Sequence, residues 1–159
     1  MRDRPHPEQG YRSALGVLSL QRQFGADRLE AACARLCALR MTQQERQKLK
    51  LAHHKALHLV RDGTSSDYEA FNHEFHTRLY EGSHSPYLRD LALATRTRLK
   101  PFRKVQFRMP QRPSLSWQEH DAIVTAIMEG DSEGAAKATR SHVMQVSIST
   151  QHYMDEHRG

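Results

Sequence analysis

At 159 residues the chain is long enough for one domain with a real core and short for two. Its net charge of +6 favours anionic partners without marking a nucleic-acid binder, and no apolar run approaches the roughly 20 residues that a membrane span needs. Cys33 and Cys37, the only cysteines, lie four apart with no C-x-x-C, so neither a disulfide framework nor a thiolate zinc site is expected. Both read as small buried apolar residues in a reducing cytosol. The charged, proline-bearing start is no signal peptide, which points to a cytoplasmic protein.

Helix signals dominate and strand-like alternation is nearly absent. Residues 1–10, with Pro5, Pro7 and Gly10, read as a disordered lead. Tyr11 to Phe24 reads as a short helix ended by Gly25, and Asp27 as the cap of a helix to about Arg40. Thr42-x-x-Glu45 is a capping box, where hydroxyl and carboxylate each accept from the other residue's backbone N–H. It predicts a helix through Leu49, Ala52, Leu57 and Val60, stopped by Gly63. Ser66-x-x-Glu69 repeats the signal before a helix striped with Phe71, Phe75 and Leu79 that stops near Gly82. Ser85-Pro86 starts a long helix reaching about Phe107, with Pro101 as a kink.

A proline-bearing loop (Pro110, Pro113, Ser114) follows. Ser116-x-x-Glu119 reads as the cap of the next helix, ending at Gly130, and Asp131 as the cap of the last, to about Glu156. Short loops between helices predict an all-α antiparallel bundle of about six to seven helices. Between Arg96 and Arg112 seven cationic residues meet no acid. They read either as a solvated helix face or as an attractor for an anionic ligand.

Three histidines fall where helices turn toward the core. Asn72 and His76 are four apart and therefore neighbours on one helix face, bordered by Phe71, Phe75 and Leu79. His120 shares a face with Trp117, Ile123, Val124 and Ile127, and His142 lies among Ala135, Ala138 and Val146. One buried histidine alone reads as a satisfied core residue. Three on separate helices would be most cheaply satisfied by one divalent ion, because an unpaired buried polar group costs a few kcal/mol. Imidazole suits zinc, nickel, copper and iron, with zinc and nickel foremost, and Asn72 would add a neutral amide oxygen. His53, His54 and His58 read as polar surface, and His73 and His84 as exposed.

The run Asn72-x-x-Phe75-His76-x-x-Leu79-Tyr80, then Ser85-Pro86-x-Leu88, then Glu119-His120-x-x-Ile123-x-x-Ala126-Ile127-x-x-Gly130-Asp131, then Ala135-Ala136 and His142, resembles a known domain. It looks like the FadR C-terminal (FCD) effector-binding domain of GntR-family transcription regulators, over roughly residues 35–150. The resemblance implies a helical bundle, usually dimeric, with a divalent metal held by Asn72, His76, His120 and His142 and a small carboxylate effector beside it. Most metal-holding members carry Asp where this chain has Asn72, so one negative charge is missing from the site.

A second resemblance precedes it. The stretch His6 to Leu18, continuing Phe24-Gly25-Ala26-Asp27-Arg28-Leu29-Glu30-Ala31-Ala32-Cys33, is similar to the C-terminal end of Mu-like insertion-sequence transposases. Residues 1–34 are thus expected to be a short helical lead of transposase-like sequence packed on the bundle, and 35–159 the FCD-like ligand-binding domain. The family carries a winged helix-turn-helix ahead of this domain, and too few residues precede the match here to supply one. Direct DNA binding is therefore not expected from this chain, nor is strand transfer, since no acidic catalytic cluster is present.

The expected function is a metal-assisted sensor of a small organic acid, with Arg98 and Arg103 holding a second carboxylate and no enzymatic activity. A metal-dependent hydrolase and a metal-free helical interaction protein, or a pseudogene product, are the alternatives.

Overall fold

The computed structural model describes residues 25–157. The expected helix over Tyr11–Phe24 and the lead before it lie outside these residues. Among them the chain forms seven α-helices and no strand: α1 (Ala26–Arg40), α2 (Gln43–Lys55), α3 (Leu57–Asp62), α4 (Ser65–Gly82), α5 (Pro86–Arg103), α6 (Arg112–Glu129) and α7 (Ser132–Glu156). A 3-10 segment, Lys104–Arg108, follows α5. The expected all-α bundle is what the chain adopts.

Local chemistry sets most of the helix ends. The Thr42 hydroxyl accepts from Glu45 N at 3.2 Å while Thr42 N donates to Glu45 Oε2 at 2.7 Å, so α2 opens on the expected capping box. Asp131 caps α7, accepting from Gly134 N at 2.8 Å. Between α6 and α7, Gly130 takes the left-handed conformation (φ 72°), a natural residue for a helix C-terminus because it has no Cβ to clash.

Several ends differ from expectation. Gly25, at φ 61°, precedes α1, and Asp27 sits in its first turn instead of capping it. The cap of α4 is Thr64 with Asp67, two residues before Ser66 and Glu69, because the shorter Asp67 side chain reaches the Thr64 N–H at 2.8 Å. The helix expected from residue 43 to 63 is broken at Ala56, whose N–H is shared between the carbonyls of Ala52 and His53 as the last turn tightens. The α-helix containing Pro101 gives way to 3-10 turns after Arg103, short of Phe107. The helix α6 starts at Arg112, with Pro113 in its first turn where a missing N–H costs nothing. Ser116 and Glu119 therefore lie inside α6 and do not cap it.

The core gathers Cys33, Cys37 and Ala34 from α1, Leu49 from α2, Phe75 and Leu79 from α4, Ile123 and Ile127 from α6 and Ala135 from α7. Small residues on α1 and α7 let these two helices pack more extensively on each other than any other pair. Both cysteines are free and buried, as expected, with the Cys37 thiol donating to Leu79 O at 3.0 Å. Burial, reinforced by the Glu30 charge, pushes the Cys33 thiol up to about 12, out of reactive range. No described helix is long and apolar enough to cross a membrane.

Candidate metal centre

The bundle brings the three singled-out histidines to one point. His76 (α4), His120 (α6) and His142 (α7) are all at most 2% exposed. Nε2 of His142 lies 3.2 Å from Nε2 of His76 and 3.3 Å from Nε2 of His120. One donor nitrogen from each ring falls within 4.8 Å of the others. Bonds of about 2.0–2.1 Å to a tetrahedral ion would set neighbouring donors about 3.3 Å apart. The rings are fixed by packing: Phe75 stacks on His120 with centroids 4.0 Å apart, and His76 and His142 stack at 5.2 Å.

The opposite ring nitrogens reveal the tautomers. Nδ1 of His142 is 2.6 Å from Glu119 Oε2, and a carboxylate can only accept, so Nδ1 carries the proton and Nε2 presents a lone pair. Nδ1 of His76 lies 3.0 Å from Glu30 Oε2, close in distance though off hydrogen-bond alignment, and the carboxylate again favours the proton on Nδ1. The Nε2 lone pairs of His76 and His142 then face each other across 3.2 Å. His120 Nε2 lies 3.3 Å from the same His142 atom, so three ring nitrogens meet at this point. A cation there resolves the repulsion, and outer carboxylates on ligand imidazoles are the usual support of such a site.

Asn72, one turn before His76, is 6% exposed, and its Oδ1 has no hydrogen-bond partner. An orphaned amide oxygen one helical turn before His76, together with three converging ring nitrogens, is a donor set that a divalent ion fits. Burial and then the Arg96 charge push His76 down to about 3 against the opposing pull of Glu30. Burial also lowers His120 and His142. All three are therefore neutral at physiological pH, the state in which imidazole can ligate.

Each outer carboxylate is held by an arginine. Glu30 Oε1 accepts from Arg103 Nη1 at 2.6 Å, deep in the bundle. Burial raises the Glu30 carboxyl, but Arg103 and then His76 outweigh it and leave the group well below the ordinary range. Glu119 receives a forked contact from Arg112, 2.7 Å at each oxygen, and is also held below its ordinary value despite burial. Arg103–Glu30–His76 and Arg112–Glu119–His142 are two parallel relays into the cluster.

Beside Asn72 lies a cavity of about 180 Å³ walled by Asn72, Arg96, Arg103, Lys100, Lys104 and Phe107, among others. Arg96 is 7% exposed and reaches Asn72 O at 3.4 Å. Arg103 also lines the cavity, and besides Glu30 it interacts with the Tyr80 side chain. Arg98, by contrast, is exposed on α5 and does not line the cavity.

Arg96 and Glu30, which the sequence reading did not single out, carried a signal. Arg96 falls with Arg103, already expected at the acid, on the stripe Ala92, Arg96, Leu99, Arg103, and all four are buried, so this part of the cationic run is not a solvated face. Glu30 sits among buried Ala26, Ala31, Cys33 and Ala34 in the same way. His53 is a correction: it is fully buried, bonded to Asp121 Oδ1 at 2.9 Å and stacked on Trp117 at 4.3 Å, because the neighbouring lysines point from other faces of α2.

The chain belongs to the FCD domain family, a family of regulatory ligand-binding domains, whose model matches residues 27–145. Short stretches are also similar to proteins named as transposases. One is y4bL/y4kJ/y4tB of Sinorhizobium fredii (strain NBRC 101917 / NGR234), 74% identical over 35 residues, which is 22% of this chain and 7% of that protein. Another belongs to insertion sequence IS408 of Burkholderia multivorans (strain ATCC 17616 / 249), 64% identical over 33 residues, 21% of this chain and 6% of that protein. A third, of IS1162 from Pseudomonas fluorescens, is 62% identical over 37 residues, 23% of this chain and 7% of that protein. The chain thus spans less than a tenth of these relatives' length.

Proposed function

We propose that this protein is the ligand-sensing domain of a GntR/FadR-type regulator that holds a divalent metal, zinc or nickel, and binds a small organic acid against it. The observation that carries the reading is the approach of the His76 and His142 Nε2 atoms to 3.2 Å with both Nδ1 atoms facing carboxylates. His76, His120 and His142 would ligate the ion, and Asn72 would complete the set through Oδ1. When bound, the ion supplies a Lewis-acidic position for a carboxylate oxygen.

The remaining work falls to the chain's own residues. Arg96 and Arg103 line the cavity and would hold the acid's charge. Arg98 has no part in it. Glu30 and Glu119 orient two of the imidazoles. Because Glu119 is engaged by both Arg112 and His142, it is not free to act as a general base, which favours a binding module over a hydrolase. The cluster joins α4, α6 and α7, so a ligand that prefers one arrangement of these helices shifts their packing. In a homodimer that shift would alter how the two subunits sit, the route by which such a domain controls a DNA-reading partner.

The test is thermal melting with zinc and a panel of dicarboxylates. A rise in Tm that needs both additions and disappears with chelator supports the reading. No response to metal, with or without acid, would overturn it.

A further inference from the structure

A groove of about 470 Å³ lies between α2 and α4, which pack only lightly on each other. Its apolar lining is Leu51, Ala52, Phe71 and Phe75. The spacing of α2 explains one wall. Lys48, Leu51, Ala52 and Lys55 share a helix face, while Leu49 and His53 turn into the core. A single exposed leucine is ordinary on a protein surface. Leu51 differs because it is 56% exposed in a concavity beside Phe71 and Phe75.

The charge of the groove selects its occupant. Arg78 at its edge is already matched by Glu74 at 2.6 Å. Lys48 and Lys55 have no ion-pair partner among the described residues. Two uncompensated ammonium groups beside an apolar strip complement a helix whose apolar stripe is flanked by carboxylates. A third helix laid between two others also suits the usual interhelical spacing. The chain's own lead has the wrong sign, with Arg2, Arg4, Arg12 and Arg22 against Asp3 and Glu8. A second copy of the chain, at +6, meets this face with the wrong overall sign as well.

We propose that the groove between α2 and α4 docks an acidic amphipathic helix of a partner protein, its apolar stripe on Leu51, Ala52 and Phe71 and its carboxylates at Lys48 and Lys55. The proposal uses neither the three histidines nor the cavity beside Asn72, so it stands apart from the metal-and-acid reading. Phe75 nevertheless stacks on His120 at 4.0 Å, so the groove backs onto the candidate centre.

The test is fluorescence anisotropy of the full chain with a labelled peptide of about fifteen residues, leucines at helical spacing along one face and glutamates beside them. One control peptide scrambles the same composition, and another carries lysine for every glutamate. Saturable binding of the acidic amphipathic peptide is expected below about 1 mM. It should be roughly tenfold tighter than for either control. Leu51→Asp should weaken it by a similar factor, and Lys48→Glu with Lys55→Glu should reverse the preference toward the lysine peptide. All three positions are exposed, so circular dichroism should show these variants folded. Equal binding of the three peptides, no saturation by about 1 mM, or variants that bind like the wild type would overturn the proposal. Self-association in sedimentation that Leu51→Asp abolishes would give the groove to a second copy. Binding of phosphatidylglycerol vesicles that the lysine variants lose, with no peptide binding, would give it to a membrane surface. Either result overturns the partner-helix assignment.

Discussion

Glu30 on α1 lies 3.0 Å from Nδ1 of His76 on α4, so a carboxylate from the first described helix reaches the heart of the candidate site. The helix that carries it, Ala26–Arg40, runs unbroken through residue 34, and the family match begins at 27. The same carboxylate is the partner of buried Arg103. Glu30→Gln should therefore have two separable effects. Leaving Arg103 unpaired should cost about 3–5 kcal/mol of stability. Loss of the outer carboxylate should weaken zinc binding roughly 10–100-fold. Urea denaturation reads the first and zinc titration the second, and Glu30→Gln combined with Arg103→Met should recover part of the stability without restoring affinity.

Acid should destabilise the metal-free protein early. Burial depresses His76 to about 3 and lowers His120 and His142 from their ordinary value near 6.5. Below that ordinary value the unfolded chain binds more protons than the folded one, so stability falls as pH drops, and for His76 the loss continues toward about 3. Each histidine still neutral in the fold contributes a slope of about 1.4 kcal/mol per pH unit. Glu30 and Glu119, whose carboxyls are depressed, add a further loss below their ordinary range near pH 4.5. Melting curves in chelator from pH 8 to 4 check this, and a flat profile between 6.5 and 5 would contradict it.

Two arginines of α5 should behave oppositely. Arg96 is buried at the cavity wall, whereas Arg98 is exposed and away from it. Arg98→Ala should leave acid binding within about 0.5 kcal/mol of wild type, as surface changes usually do. Arg96→Ala should weaken it by about 1.5–3 kcal/mol, the worth of a hydrogen bond to a charged group. Acid-induced changes in Tm in the presence of zinc compare the two.

Much of this was legible in residue spacing. The capping box of Thr42 and Glu45 and the cap at Asp131 needed only local chemistry, and both stand where the pattern puts them. The inward turn of His76, His120 and His142 followed from the apolar residues at helical spacing around each. What spacing cannot carry is pairing between distant helices. Glu30 and Arg103 are 73 positions apart, and only the fold shows that their charges cancel. Arg96 was not singled out because a cationic run reads as a solvated face or as an anion attractor alike until its individual members are laid on the Ala92–Leu99 stripe. His53 was misread for the converse reason: flanking lysines described the helix's other faces, and its partners Asp121 and Trp117 lie on α6.

Bound together with the acid, metal should also stabilise the fold, since the cluster ties α4, α6 and α7 together. Zinc at a hundredfold excess over its Kd should add about 2.7 kcal/mol, lost on chelation. His120→Ala should abolish that gain, and it should also open a cavity under Phe75, whose ring stacks on His120 at 4.0 Å. The stabilisation by zinc, not the baseline Tm, is the informative quantity in this variant.

The most direct measurement is X-ray absorption on purified protein loaded with one equivalent of zinc in the presence of succinate. The predicted spectrum shows one bound ion per chain with three imidazoles at about 2.0–2.1 Å and oxygen completing the shell. An ion with fewer imidazoles, or the same spectrum after His76→Ala or His142→Ala, would contradict a shared centre between these side chains.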